Sequence, residues 1–154
     1  QAYDSGAHLL NSLCWSVESR VKDVFAFVDN VGAPVDINSV MSIRFESGVL
    51  ANITIGGNCP GGGTFMAFIF DAGRVEIDGW GGGWIRVHGS DGKLVEIPGI
   101  DAKPLAPADN FIDAILGRDE PRTSPANGIV HSELMDAIYE SARTGRTASP
   151  KPRP

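Results

Sequence analysis

The pattern of hydrophobic and polar positions divides the chain into a helical start, a strand-rich middle and a helical end. Residues 5–18 carry apolar side chains at the spacing of one helical stripe, namely Leu10, Leu13, Cys14 and Val17. Between residues 21 and 97 apolar and polar positions alternate, which is typical of half-buried strands. Helical spacing returns between residues 108 and 144. This order of segments predicts an α+β fold.

The middle of the chain contains β-rich segments that are separated by short connectors. The segments lie at residues 24–28, 37–45, 49–55, 64–70, 74–77, 84–88 and 94–97. Connectors such as Glu46–Gly48 force neighbouring strands to pair antiparallel, because a parallel crossover needs about a dozen or more residues. We therefore expect a mostly antiparallel, open sheet of about six or seven strands.

Two helices are predicted near the end of the chain. The first covers Phe111–Leu116. The second begins at Ser124 and Pro125, where a serine caps the helix and a proline occupies its first position, and it ends at Gly145. Both helices need to bury an apolar stripe, and one face of the sheet is the available partner. The sequence thus predicts helices packed on one sheet face.

The other face of the predicted sheet carries apolar side chains as well. The segment from Phe65 to Phe70 is apolar on both of its sides. An apolar outer face on an acidic chain indicates a subunit interface, so we expect a homo-oligomer that forms through this open face. The alternative is that a loop of the same chain covers it.

Charge and composition exclude several classes of function. The formal net charge of -6 repels phosphate backbones, so no nucleic-acid partner is expected. The apolar runs are too short to span a bilayer and no signal peptide is visible, so we expect a cytoplasmic protein without a membrane partner. The two cysteines and three histidines are scattered along the sequence, which predicts no metal site.

A second face of the first predicted helix carries the candidate chemistry. At about 100° per residue, Asp4, His8, Asn11 and Trp15 fall within roughly 60° of one another and roughly 140° from the apolar stripe. Oxidation of an alcohol by hydride transfer needs a base for the hydroxyl proton, and His8, oriented by Asp4, suits that role. Asn11 can bind a substrate hydroxyl and Trp15 can form a wall of the pocket. The simpler reading is an aspartate at a helix N-terminus and a histidine on the surface.

The same segment resembles a known family. Tyr3–Trp15 is similar to the segment that opens the C-terminal domain of the Gfo/Idh/MocA oxidoreductases, which reads approximately D-x-G-x-H-x-x-D. Asp109–Gly117 and Asp136–Gly145 resemble the closing helices of that domain, which end in S-A-x-x-G. Between the two ends lies a strand-rich stretch of the right length, so the resemblance covers nearly the whole chain.

The resemblance implies a catalytic role for His8 with Asp4 beside it, and a sugar or polyol as substrate. It also implies NAD or NADP as cofactor, bound mainly by an N-terminal Rossmann domain that this chain lacks. Residues 1–148 would then be one C-terminal domain and residues 149–154 a loose tail. One departure concerns Asn11, where the family usually has aspartate, because an amide binds a hydroxyl but cannot act as a base.

Three functions remain open at this point. The chain is expected to be the substrate-binding and oligomerisation domain of an oxidoreductase, inactive without its cofactor domain because no G-x-G-x-x-G motif opens a helix anywhere in it. The alternatives are a non-catalytic module that dimerises through its sheet and a sugar-binding protein that has lost redox chemistry. A Rossmann unit upstream would favour the first.

Overall fold

The computed structural model describes residues 1–61, 63–79, 83–99 and 106–152. The elements follow in the order α1 (Ser5–Val17), β1 (Val21–Asp29), β2 (Asn38–Phe45), β3 (Leu50–Gly56), β4 (Met66–Phe70), β5 (Gly73–Ile77), β6 (Ile85–Gly89), α2 (Pro107–Ile115) and α3 (Pro125–Thr144). They form two compact units, of which the first comprises Gln1–Cys59 with Pro121–Pro154 and the second comprises Pro60–Glu120. The predicted α+β class is confirmed.

The first unit is built on a three-stranded sheet in the order β1-β2-β3. Both pairs of strands are antiparallel, as the short connectors predict, and Ala26, Met41 and Ile53 lie opposite one another across the sheet. Buried and exposed residues alternate strictly along β2. This alternation gives the sheet one core face and one outer face.

The core of the first unit lies between this sheet and the helices α1 and α3. Its buried apolar side chains come from all five elements and the flanking segments: Ala2, Leu10, Val24, Ala26, Met41, Ile43, Phe45, Ile55, Leu134, Met135, Ala137, Ile138 and Ala148. Ser141 joins α3 to β1 inside the core, because its hydroxyl accepts a hydrogen bond from the Ala26 amide at 3.0 Å. Helix packing on one sheet face is therefore confirmed for this unit.

The second unit contains a separate sheet in the order β4-β5-β6, again antiparallel. The prediction of one sheet of six or seven strands is therefore wrong. Periodicity finds strands, but the connection 57–65 is longer than a tight turn and forces no pairing between β3 and β4. The expected seventh strand, Leu94–Ile97, is reduced to a single bridge between Leu94 and His88.

The helix boundaries follow local signals at α3 and depart from them at α2. The Ser124 hydroxyl accepts a hydrogen bond from the Asn127 amide, and Gly145 ends α3 in the left-handed conformation with φ of 65°. By contrast, α2 begins at Pro107, earlier than predicted, and its apolar side chains do not bury their stripe: Phe111 and Ile115 are 67% and 68% exposed. Pro107 at the first position fixes the earlier start.

The end of the chain stays close to the first unit as far as the structure describes it. Ala148 and Val24 exchange two backbone hydrogen bonds of 2.9 and 2.8 Å. Lys151 then forms an ion pair with Glu140 at 3.1 Å. Of the predicted loose tail, residues 153 and 154 lie outside the described residues. In the described part of the chain, no helix has the length and hydropathy that a bilayer crossing requires.

Candidate functional site

Helix α1 places its two faces in opposite environments. The predicted apolar stripe is confirmed, because Leu10 is fully buried and Leu13, Cys14 and Val17 pack against the core. Burial raises the pKa of the Cys14 thiol, which therefore stays protonated and acts as a small apolar side chain. The stripe fixes the rotation of α1 about its axis, and so determines which side chains face solvent.

The four predicted site residues are all exposed on the other face of α1. Asp4, at the N-cap, makes no capping hydrogen bond through its side chain. His8, Asn11 and Trp15 follow at helical spacing, and Trp15 is 67% exposed. His8, Asn11 and Trp15 therefore lie on a solvent-facing side of α1 whose opposite side is anchored, and the exposed Asp4 stands at the N-cap of the same helix.

A buried carboxylate that the sequence analysis missed holds the chain just before α1. Asp36, in the β1–β2 connection, is only 7% exposed. Its Oδ2 accepts hydrogen bonds from the Ala2 amide at 2.6 Å and from the Ser39 hydroxyl at 3.2 Å. Its Oδ1 accepts one from the Tyr139 hydroxyl on α3 at 2.7 Å. Asp36 thus joins the segment before α1 to β2 and α3.

The hydrogen bonds around Asp36 set its protonation state. Burial by itself raises the pKa of this carboxyl, but the hydrogen bonds from the Ala2 amide and the Tyr139 hydroxyl lower it below its ordinary value. Burial and the neighbouring Asp36 carboxylate raise the pKa of Tyr139. Near neutral pH the pair is therefore a carboxylate that accepts from a neutral phenol.

Two aromatic rings of α3 contact Tyr3, the residue that precedes Asp4 and is itself 56% exposed. The Tyr3 and Tyr139 rings are stacked with 6.5 Å between centroids and 15° between planes. The His131 ring meets Tyr3 edge to face at 6.2 Å. Both His131 nitrogens are buried without a hydrogen-bond partner among the described residues, and burial lowers the pKa of this imidazole. His131 is thus a packing residue that stays neutral.

Gly6 allows the first turn of α1 to lie close to the sheet. A Cβ atom at this position would come within 2.5 Å of Cδ1 of Ile55 and within 3.8 Å of Cβ of Ala2. A glycine here therefore lets α1 approach β3 more closely than a residue with a side chain would. Because Gly6 stands between Asp4 and His8, this contact also fixes the helix turn that carries both of them.

The second unit has a charged sheet face of its own. The Arg74 guanidinium donates to Glu76 at 2.8 Å, and His88 lies 3.5 Å from the same carboxylate. Arg86 stacks over the Trp84 ring at 4.0 Å from its centroid. Arg74 and Glu76 form an ion pair, whereas Nε2 of His88 is buried without a hydrogen-bond partner among the described residues. Among the described residues, no group of three or more metal-ligating side chains is found in either unit.

Comparisons with protein families and with solved structures agree with each other. A model described as the GFO/IDH/MocA C-terminal domain matches residues 1–95. Among curated proteins no significant match is found. The solved structure of an NAD-binding protein from Listeria innocua is 26% identical with a TM-score of 0.76. The match covers 97% of this chain and 48% of the Listeria protein.

Two further solved structures share the fold. An aldose-aldose oxidoreductase from Caulobacter crescentus, complexed with glycerol, has a TM-score of 0.82 at 23% identity over 96% of this chain and 47% of its own. The WlbA dehydrogenase from Bordetella pertussis, complexed with NADH and UDP-GlcNAcA, is 24% identical with a TM-score of 0.77. The match covers 99% of this chain and 46% of that dehydrogenase. The chain thus spans about half the length of these relatives. Since the family model covers more than half of the sequence, the chain belongs to the GFO/IDH/MocA C-terminal domain family.

Proposed function

We propose that this chain is the substrate-binding part of an oxidoreductase that transfers a hydride between NAD or NADP and a sugar, a polyol or a related hydroxy compound. The observation that carries the proposal is the solvent-facing side of α1, where Asp4 and His8 stand one turn apart on a helix whose other side is anchored in the core. A ligand can reach this side, and the membership of the chain in an oxidoreductase family supports a redox reaction.

The chain's own contribution is proton handling. Oxidation of a carbinol removes a hydride from carbon and a proton from oxygen, which leaves a carbonyl group. His8 accepts the hydroxyl proton, and the Asp4 carboxylate orients the imidazole and stabilises its protonated form. Positioned bases of this kind contribute about 10²–10⁴-fold to the rate.

Two neighbours of His8 suit the recognition of a hydroxylated substrate. The Asn11 amide both donates and accepts hydrogen bonds, which matches the two roles of a sugar hydroxyl. The exposed indole of Trp15 offers an apolar ring surface to the C–H face of a sugar. The relatives complexed with glycerol and with UDP-GlcNAcA support a polyol or sugar as the substrate class.

The described residues do not fit a dinucleotide by themselves. All strand pairs in both sheets are antiparallel, whereas the Rossmann cradle needs a parallel strand, a glycine-rich turn and a helix N-terminus. We therefore assign cofactor binding to a further domain, consistent with relatives that are about twice as long. The isolated chain would then bind substrate weakly and not turn it over.

The outer face of the first sheet is proposed as the surface of a homo-oligomer. It exposes Phe27 by 64%, Val40 by 45% and Leu50 by 75%. Phe27 and Val40 are cross-strand neighbours, and the Asp23–Arg44 ion pair lies farther along the same face. A Leu50→Asp variant would shift the sedimentation profile to the monomer, whereas an unchanged profile would contradict this interface.

The catalytic proposal is tested on the full-length protein that carries this chain. Reduction of NAD⁺ and NADP⁺ is measured with a panel of aldoses and polyols, and the best pair is used to compare His8→Ala with the matched control Ser16→Ala. Ser16 is also exposed on α1 but lies off the Asp4–His8 side. We expect kcat/KM to fall about 10³-fold in His8→Ala and within twofold of the parent in the control. Equal activity in both variants would refute the role of His8.

A further inference from the structure

We propose that Asp36 and Tyr139 are positioning residues, which hold the start of α1 so that Asp4 and His8 keep their productive placement. The inference rests on the function proposed above for His8 and Asp4. Neither residue faces the exposed side of α1. Each acts through the backbone and the aromatic ring of the segment that leads into Asp4.

The first argument is that one carboxylate connects three separate parts of the chain. Asp36 accepts from the Ala2 amide, two residues before Asp4, at 2.6 Å. It also accepts from Ser39 on β2 and from Tyr139 on α3. These partners are 34, 3 and 103 residues away in sequence. The position of Ala2 is therefore defined relative to the sheet and to α3 at once.

The second argument is that Tyr139 holds the same segment twice. Its hydroxyl donates to Asp36 at 2.7 Å and its ring stacks on Tyr3 at 6.5 Å between centroids. His131, about two helical turns before Tyr139 on α3, meets the Tyr3 ring edge to face. Tyr3 is bonded directly to Asp4, so a movement of this stack changes the place of the Asp4 carboxylate.

The third argument is that the start of α1 packs closely against the first sheet and the connection 57–65. A Cβ atom at Gly6 would meet Ile55, and one at Gly57 would lie 2.7 Å from the Ile37 carbonyl oxygen and 3.1 Å from the side chain of Gln1. In packing as close as this, a change at one contact is transmitted to the neighbouring ones. Misplacement of a reacting group by about 1 Å is enough to cost on the order of 10²-fold in rate.

The test uses two variants on α3, each of which removes one hydroxyl group. Tyr139→Phe removes only the hydroxyl that donates to Asp36. Ser141→Ala, the matched control, removes a fully buried hydroxyl that accepts from Ala26 of β1. Both variants lose one side-chain hydrogen bond of α3, but only the first loses a bond that leads to α1. They are compared in the full-length protein for kcat, KM, the pH profile of kcat/KM and the melting temperature.

We expect Tyr139→Phe to lower kcat about tenfold with KM within twofold, and to shift the pH profile because the Asp4–His8 geometry changes. Ser141→Ala should lower the melting temperature by a similar amount and leave kcat and the pH profile unchanged. Equal kcat in the two variants, or a loss in both that follows melting temperature, would overturn the positioning role.

A second pair of variants tests Asp36 itself. Asp36→Ala removes every acceptor and is expected to lower kcat at least tenfold, whereas Asp36→Asn should recover most of it. The amide oxygen can still accept from Ala2, and the Tyr139 hydroxyl can accept from the amide nitrogen. If Asp36→Asn is as slow as Asp36→Ala, the geometric role is refuted. If Asp36→Ala does not fold, Tyr139→Phe decides alone.

The outcomes also separate this inference from the proposed function. A large loss in His8→Ala with a Tyr139→Phe protein as active as Ser141→Ala would refute positioning and leave the catalytic role of His8 intact. Full activity in His8→Ala would refute the catalytic role, and the positioning role with it.

Discussion

Two carboxylates near the start of α1 have opposite surroundings. Asp36 is buried, accepts hydrogen bonds from Ala2, Ser39 and Tyr139, and has no face left for a ligand. Asp4 is exposed, makes no capping hydrogen bond and stands one turn from His8. The comparison separates a carboxylate whose hydrogen bonds join Ala2, Ser39 and Tyr139 from one that is exposed to solvent, and only the exposed one is proposed to act on a substrate.

The largest expected effect is on stability at the buried carboxylate. Asp36→Ala leaves the Ala2 amide and the Tyr139 and Ser39 hydroxyls without their acceptor, and should lower the free energy of unfolding by about 3 kcal/mol. Asp91→Ala serves as the control, because Asp91 is 57% exposed and pairs with Lys93 on the surface, where an ion pair contributes little to stability. Urea titration of both variants measures the difference. A cost below that of the control would show that the Asp36 cluster does not hold the fold.

The next largest expected effect is a loss of stability in acid that depends on Asp36. The hydrogen bonds from Ala2 and Tyr139 hold the folded-state pKa of Asp36 below its ordinary value, so the unfolded state binds the proton first. The stabilisation is complete above about pH 4 and is lost as the pH falls through the folded-state pKa. Asp36→Asn should remove this part of the pH dependence. Urea midpoints between pH 5 and pH 2 that run parallel in the variant and the parent would contradict the prediction.

A smaller loss of stability is expected at mildly acidic pH from His131. Burial lowers the pKa of this histidine, so the unfolded state binds more protons once the pH falls below about 6.5, and stability declines from there toward the folded-state pKa. Leucine is similar in size to histidine, so His131→Leu keeps a contact with Tyr3. The melting temperature of this variant should depend less on pH between pH 7 and pH 5 than that of the parent. A variant as pH-sensitive as the parent would exclude His131 as the source.

The smallest effects on stability are expected on the exposed side of α1. Asn11→Ala and Trp15→Ala should change the free energy of unfolding by no more than about 0.5 kcal/mol, because neither side chain packs into the core. In the full-length enzyme the same variants should raise KM for the sugar or polyol while kcat changes less. Thermal melts and steady-state kinetics on the same samples decide between the two effects. A loss of stability comparable to Asp36→Ala would mean that this side is structural.

The sequence predicted α1 to within one residue at its end, because a single apolar stripe fixes both the helix and the side that faces solvent. The antiparallel strand pairs within each sheet also followed from their short connectors. The division into two sheets did not, since no local pattern states whether β3 continues to β4 across the connection 57–65. A longer connection leaves pairing to long-range contacts.

The cluster around Asp36 was beyond sequence reasoning for a related reason. Its partners Ala2 and Tyr139 are 34 and 103 residues away, and nothing in the loop around Asp36 marks the residue as buried. The exposed quartet on α1 was predictable because its members share one helix and its period. The local signal thus predicts which side chains are exposed on α1, whereas the long-range contacts of Asp36 leave no local signal.

The most direct test of the central claim is a crystal structure of the full-length protein with NAD⁺ or NADP⁺ and the best aldose or polyol from the activity panel. We predict that a ring nitrogen of His8 lies about 2.6–3.2 Å from the hydroxyl on the carbon to be oxidised, with Asp4 next to the imidazole. A substrate bound elsewhere, with the Asp4–His8 side of α1 open to solvent and remote from the nicotinamide, would contradict the account.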